Sequence, residues 1–242
     1  MWVVLPTYNE RENIEPVSAA ILEALPQAQL LIVDDGSPDG TGQLADTLAA
    51  REERVSVMHR SAKEGLGAAY RAAFRWVLEH GDTVAVVQMD ADFSHDPRDL
   101  PRLLAPLMDG ADMVLGTRYM AGGGTVGWPW HRQLISRAGT LFARTLLLLP
   151  YNDLTGGFKA WRRDLLEQIR LREADASGYG FQVEMTWWAH RRGARIVQVP
   201  IVFRERVAGS SKMTGGIVGE ALLLVLRLRL RAVLESLGRR PA

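Results

Sequence analysis

Along the first half of the chain, short apolar runs alternate with stretches whose apolar residues recur every three to four positions. Segments 2–6, 30–33, 55–59, 83–89 and 113–116 have the length and content of buried strands. Between them Ile14, Val17, Ile21 and Leu25, and again Leu66, Tyr70, Phe74 and Val77, are spaced to share one helix face. This alternation predicts an α/β fold: a Rossmann-like, open, mostly parallel sheet with crossover helices on its faces. Such sheets bind ligands at the carboxyl ends of their strands, so the residues just after each apolar run are the ones to inspect.

The second half is less regular. A Gly-rich loop, 121–127, leads into a predicted helix over 131–149, then a strand over 157–161, a helix over 181–192 and a strand over 196–203. In the 131–149 helix Leu134, Ala138, Leu141, Phe142, Thr145 and Leu148 share a face. In 215–237, Leu222, Leu226, Leu230, Val233, Leu234 and Leu237 form one stripe, opposite Glu220, Arg227 and Arg231. Leu224 and Leu228 fall outside that stripe, and the Arg-Leu alternation also reads as strand. An amphipathic helix with arginine on its polar side suits a membrane interface, and core packing of one face is the competing reading. With no internal repeat, the simplest organisation is a catalytic domain over 1–213 followed by an interfacial helix and tail over 214–242.

Composition narrows the chemistry. The 242 residues contain no cysteine, which excludes disulfides, a thiol nucleophile and a thiolate metal site. Lys and Arg number 29 against 28 Asp and Glu, a balance that argues against a nucleic-acid partner held by bulk charge. No run approaches the roughly 20 apolar residues of a spanning helix. The chain starts directly on Trp2-Val3-Val4-Leu5, without a basic stretch or cleavage motif, so a cytoplasmic location is expected.

Three strands end in polar or acidic clusters: Pro6-Thr7-Tyr8-Asn9-Glu10, Asp34-Asp35-Gly36-Ser37 and Asp90-Ala91-Asp92. Asp and Gly often only mark turns, which would explain one cluster. Three in the same register point to a cation. Asp90 and Asp92, flanking one residue, suit Mg²⁺ or Mn²⁺ shared with substrate phosphates.

These segments, with Gly65-Leu66-Gly67, Gly116-Thr117-Arg118-Tyr119, Asp153-Leu154-Thr155-Gly156-Gly157-Phe158 and Arg206-Val207-Ala208-Gly209-Ser210-Ser211-Lys212, resemble in order the family 2 inverting glycosyltransferases. More narrowly they resemble the dolichyl- and polyprenyl-phosphate mannose synthases. The resemblance implies a GT-A-like fold and GDP-mannose as donor, with Pro6, Tyr8, Glu10, Val33 and Asp35 at the nucleoside. It places Asp90, Ala91 and Asp92 at the diphosphate and its metal ion, and Arg206 and Lys212 as a phosphate clamp. Some relatives carry a metal-binding Gln where this chain has Ser94; Ser is a poorer ligand, and the third protein ligand stays open. Lys63, Gly65 and Gly67, before a helix, are further candidates for the donor phosphates.

By the same resemblance Arg118, Arg132 and Ser136 bind the phosphate of a polyprenyl (dolichyl-type) acceptor. A lipid monophosphate is already ionised at neutral pH and needs no general base, so Asp92, Arg118 and Arg206 are expected to carry catalysis by charge compensation and positioning. Asp153 and Glu184 are candidate bases in a rival reading with a hydroxyl acceptor; their other reading is structural. A UDP-glucose donor and a catalytically silent scaffold are the remaining alternatives. The implied setting is peripheral, on the cytoplasmic face of a membrane, in some relatives with a separate membrane-anchoring protein.

Overall fold

The computed structural model describes residues 1–80, 83–169, 176, 178–205 and 215–238. Strands and helices alternate first: β1 (Trp2–Thr7), α1 (Arg11–Ala24), β2 (Gln29–Asp34), α2 (Thr41–Arg51), β3 (Val55–His59), α3 (Leu66–Glu79) and β4 (Ala85–Gln88). A 3₁₀ turn at Pro97–Asp99 opens α4 (Leu100–Met108), followed by β5 (Met113–Thr117), β6 (Gly124–Val126) and α5 (Trp130–Leu147). Then come β7 (Lys159–Arg162), α6 (Arg163–Gln168), α7 (Gly178–Arg191), β8 (Ile196–Pro200), β9 (Val202–Arg204) and α8 (Gly215–Ser236).

Seven strands form one sheet in the order β3-β2-β1-β4-β7-β5-β8. All neighbours are parallel except β7, which runs antiparallel to both β4 and β5. The mostly parallel expectation holds, with this one reversal. Alternate residues of β1 and β2 enter two cores. Val4, Leu31 and Val33 meet α3, α5, α7 and α8, while Val3, Leu5, Leu30 and Ile32 meet α1, α2 and α4. Helices cover both faces, which is why these strands read as unbroken apolar runs.

Three departures have local causes. Helix α2 buries only Thr41, Gly42 and Ala45, too little apolar surface to leave a period, and Pro101 and Pro106 disguise α4. The strand expected over 196–203 divides: β8 pairs with β5, while β9 leaves to pair with β6, a strand lying inside the predicted Gly-rich loop. The leucine-arginine segment is helix α8, not strand.

Helices α5 and α8 pack against each other and turn their predicted leucine faces outward. Thr140, Ala143 and Leu147 of α5, and Val225 and Leu228 of α8, point inward. Leu134, Leu141 and Leu148, and Leu222, Leu226, Leu230 and Leu237, are exposed. The core therefore takes residues outside the predicted stripes. No helix among the described residues is long and apolar enough to cross a membrane.

Gly67 in α3 marks a close approach. A β-carbon there would lie 2.2 Å from the Ala176 carbonyl oxygen, which accepts from Arg71 Nη1 at 3.0 Å. The Ala176 N–H donates to Glu184 Oε2 at 3.1 Å, so Glu184 holds backbone here. Gly67 is buried in the first turn of α3, and this close approach is a packing reason for glycine there. Gly67→Ala is expected to lower stability by about 1–3 kcal/mol in urea unfolding; an unchanged midpoint would contradict the packing.

Candidate active site

The carboxyl ends of β1, β2 and β3 are locked together one residue past the strands. The Asp35 N–H donates to the Thr7 carbonyl at 3.0 Å, and the Arg60 N–H to the Asp34 carbonyl at 2.8 Å. Asp34 closes the next turn by accepting from the Ser37 N–H at 3.0 Å and from Thr7 Oγ1 at 3.2 Å. Gly36 sits at φ +70°, where a side chain would strain the turn. Asp35 is paired with Arg60 at 2.5 Å; burial raises its pKa against the opposing pull of that guanidinium.

Glu10 lies before the first turn of α1. Its N–H donates to Thr41 Oγ1 at 3.0 Å, and its carboxylate accepts from Asn13 Nδ2 at 2.9 Å. Lys63 Nζ stands 4.0 Å above the Tyr8 ring, so the loop before α3 reaches this edge. Pro6 is the penultimate residue of β1. The Val33 side chain is wholly buried in the core, and its backbone lies in the ladder between Pro6 and Met58.

Past β4, Phe93 adopts φ +59° and folds the chain back so that the Ser94 N–H donates to Asp92 Oδ1 at 3.0 Å. Ala91, Asp92 and Ser94 are buried, and Asp90 is partly exposed. The Asp90 N–H donates to His95 Nδ1 at 3.1 Å, which assigns the ring proton to Nε2. His95 is buried, stacked on Phe158 at 4.8 Å with the Phe203 edge at 5.2 Å. Burial, above all, lowers its pKa to about 4 and keeps it neutral. No group of three or more His, Cys, Asp or Glu is assembled for a metal among the described residues. Two carboxylates about one residue are an all-oxygen set that fits a hard ion completing its shell from a diphosphate and water, and not a four-ligand zinc centre.

The three residues expected at the acceptor are brought together. Arg118, at the end of β5, donates to Asp153 from Nε at 2.6 Å and from Nη2 at 2.8 Å, with both side chains buried. Its Nη2 also donates to Thr155 Oγ1 at 2.9 Å, which lies 3.5 Å from Ser136 Oγ. The Trp128 ring lies beneath both guanidiniums, 5.3 Å from Arg118 and 4.1 Å from Arg132. Burial acts to raise the Asp153 pKa, but the charge and hydrogen bonds of Arg118 outweigh it and hold the carboxyl low. Asp153 also accepts from the Gly156 N–H at 3.2 Å, so it orders its loop and fixes an arginine. The Arg204 N–H donates to the Ser94 carbonyl at 3.1 Å, tying β9 to the Asp90–Asp92 loop. Arg206 and Lys212 lie outside the described residues.

A model for glycosyl transferase family 2 matches residues 2–170. The chain belongs to glycosyltransferase family 2. This glycosyltransferase is 50% identical over 237 residues to an undecaprenyl-phosphate mannosyltransferase of Micrococcus luteus, covering 98% of this chain and 97% of the relative. It is 48% identical over 234 residues to a polyprenol monophosphomannose synthase of Mycolicibacterium smegmatis, covering 96% and 88%. A solved structure of glucosyl-3-phosphoglycerate synthase from Mycobacterium tuberculosis, with Mn²⁺, UDP and phosphoglyceric acid, matches with a TM-score of 0.69 at 22% identity. It covers 94% of this chain and 78% of that one, a likeness of fold.

Sequence reasoning missed several residues of the glycosyltransferase site. Arg60 comes directly after β3, so inspecting that strand end would have found it. Thr155 sits inside the Asp153–Phe158 segment that carries the resemblance but was given no role, while Trp128 and Glu205 come from irregular segments with no local signal. Lys159 was hidden inside a strand: it is buried, donating to the Gln182 carbonyl at 2.6 Å and to Thr186 Oγ1 at 2.9 Å. Burial, opposed by Asp153, lowers its pKa to about 7. Between pH 7 and about 10.4 the unfolded chain then holds a proton that the folded one has released, so this group makes stability rise with pH. Urea unfolding at pH 7 and 9.5 is expected to show a gain for the natural chain that shrinks in Lys159→Met; equal gains would place the lysine proton elsewhere.

Proposed function

We propose that this glycosyltransferase moves mannose from GDP-mannose to the phosphate of a polyprenyl monophosphate, with inversion at the anomeric carbon, at a membrane surface. The observation that supports the mannosyl group and the polyprenyl-phosphate acceptor is the 48–50% identity, over nearly the whole chain, to two enzymes named for polyprenyl-phosphate mannosyl transfer; the GDP carrier rests on the strand-end motifs. Tyr8, Glu10 and Asp35, with Pro6 and Val33 at the ends of β1 and β2, are assigned to the nucleoside. Asp90 and Asp92 hold Mg²⁺ or Mn²⁺, with Ser94 alongside, and Arg206 and Lys212 clamp the diphosphate. The bound ion supplies neutralising charge for the departing GDP.

The acceptor side supports a reaction without a general base. Asp153 already accepts from Arg118 and from its own loop, and Glu184 accepts from Ala176, so each carboxylate is committed to holding structure. An ionised phosphate needs only to be aimed and charge-compensated, which Arg118, Arg132 and Ser136 are grouped to do. The outward leucine faces of α5 and α8 extend from this group, and α5 itself carries Arg132 and Ser136. A lipid surface lying against them would bring the acceptor phosphate to the site while the donor enters from water.

Purified protein given Mg²⁺, GDP-mannose and a short polyprenyl phosphate is expected to release GDP. Release from UDP-glucose alone would favour the rival donor, and release from neither would refute the reading. Asp92→Ala is expected to weaken metal-supported donor binding by about tenfold or more in calorimetry; unchanged binding would point to the silent scaffold.

A further inference from the structure

The site contains two arginine-carboxylate pairs built differently. Arg118 and Asp153 form a two-nitrogen fork whose side chains are 4% and 0% exposed. Arg132 meets both oxygens of Glu205 through the single nitrogen Nη1, at 2.8 Å each, and the exposures are 14% and 37%. Its Nε is buried and has no hydrogen-bond partner among the described residues. The first pair is a fixture. The second uses part of the guanidinium's donor fork, and its carboxylate is partly open to solvent.

The chain makes room for this second carboxylate. Strand β6 pairs with β9 through Arg204, and the Glu205 N–H extends the ladder to the Val126 carbonyl at 2.8 Å. Gly127 comes next at φ +81°, and a β-carbon there would lie 3.0 Å from that of Glu205. Trp128 then stacks on Arg132, so one short stretch presents Glu205 and the arginine to each other.

We propose that Glu205 is a specificity-determining residue for the acceptor: it occupies Arg132 in the absence of lipid, and the acceptor phosphate displaces it. This rests on reading Arg132 as an acceptor-phosphate residue. A phosphate monoester brings more negative charge and a third oxygen to the Nη donors, and so displaces a partly exposed carboxylate. A neutral prenol brings no charge and leaves the pair closed. Glu205 thus lowers the affinity of every head group and excludes those that cannot replace its charge.

The test is a double-mutant cycle on the full chain with saturating donor, reading KM and kcat for a short polyprenyl phosphate. Glu205→Gln is expected to lower KM about two- to fivefold, the worth of a half-exposed pair, with kcat little changed. Arg132→Ala is expected to raise KM about tenfold, and Glu205→Gln to have no further effect in that background. A KM that rises or stays constant in Glu205→Gln, while Arg132→Ala raises it, would show that Glu205 merely steadies the arginine and would overturn the proposal alone. If Arg132→Ala leaves KM unchanged, the acceptor reading fails and the proposal with it. Glu205→Ala repeats the comparison should the Gln variant fold poorly.

Discussion

The buried pair of Arg118 and Asp153 is the interaction around which the second half of the site is built. Two opposite charges out of water tolerate neither partner's removal, so the chain must keep both where they are. Asp153 draws in the Gly156 N–H and Thr155, and Arg118 reaches Thr155 from the end of β5. The loop before β7 is thereby fixed to the carboxyl edge of the sheet. Arg118 also lies 5.5 Å from the Phe203 ring, which packs in turn against His95, and His95 holds the Asp90 backbone. A continuous packed path thus joins the arginine cluster to the carboxylate pair.

The carboxylates themselves divide by environment. Asp34 and Asp39 close turns and start helices, and Asp35 is matched by Arg60. Asp92 closes its own loop, and the partly exposed Asp90 stands 3.8 Å from a His95 that burial keeps neutral. Repulsion at the ends of β1 and β2 is therefore relieved by the protein itself, and the carboxylates suited to an outside cation are concentrated on one loop.

The legible part of this architecture was the part governed by local period and strand-end position. The runs at β1, β2 and β5 were readable because burial on both faces leaves little polar interruption, and β3 because its valines and methionine still form a short apolar run. Asp35, Asp90 and Asp92 were readable because parallel strands deliver the residues just past their carboxyl ends to one edge. The reversed direction of β7 was not, since an apolar run has no polarity in sequence. Nor were β6 and the break that sends β9 to it, since these residues are chosen by each other across 78 positions rather than by their neighbours. Glu205 reads as one more charge in a basic loop until Arg132 is placed opposite it.

The reversal of β7 bears on how such a chain diversifies. Because β7 runs against β4 and β5, its amino end, not its carboxyl end, reaches the functional edge, and the connection from α5 arrives there directly. Strands β1 to β4 follow one another with a single crossover pattern, although one of their two cores is shared with α5, α7 and α8. The chain after β5 re-enters the main sheet twice, as the reversed β7 between β4 and β5 and as β8 at the edge beyond β5. Lengthening or rewriting the segment between α5 and β7 would change what the edge receives while leaving the register of the first four strands intact, so one half of the sheet can be inherited while the other is reworked.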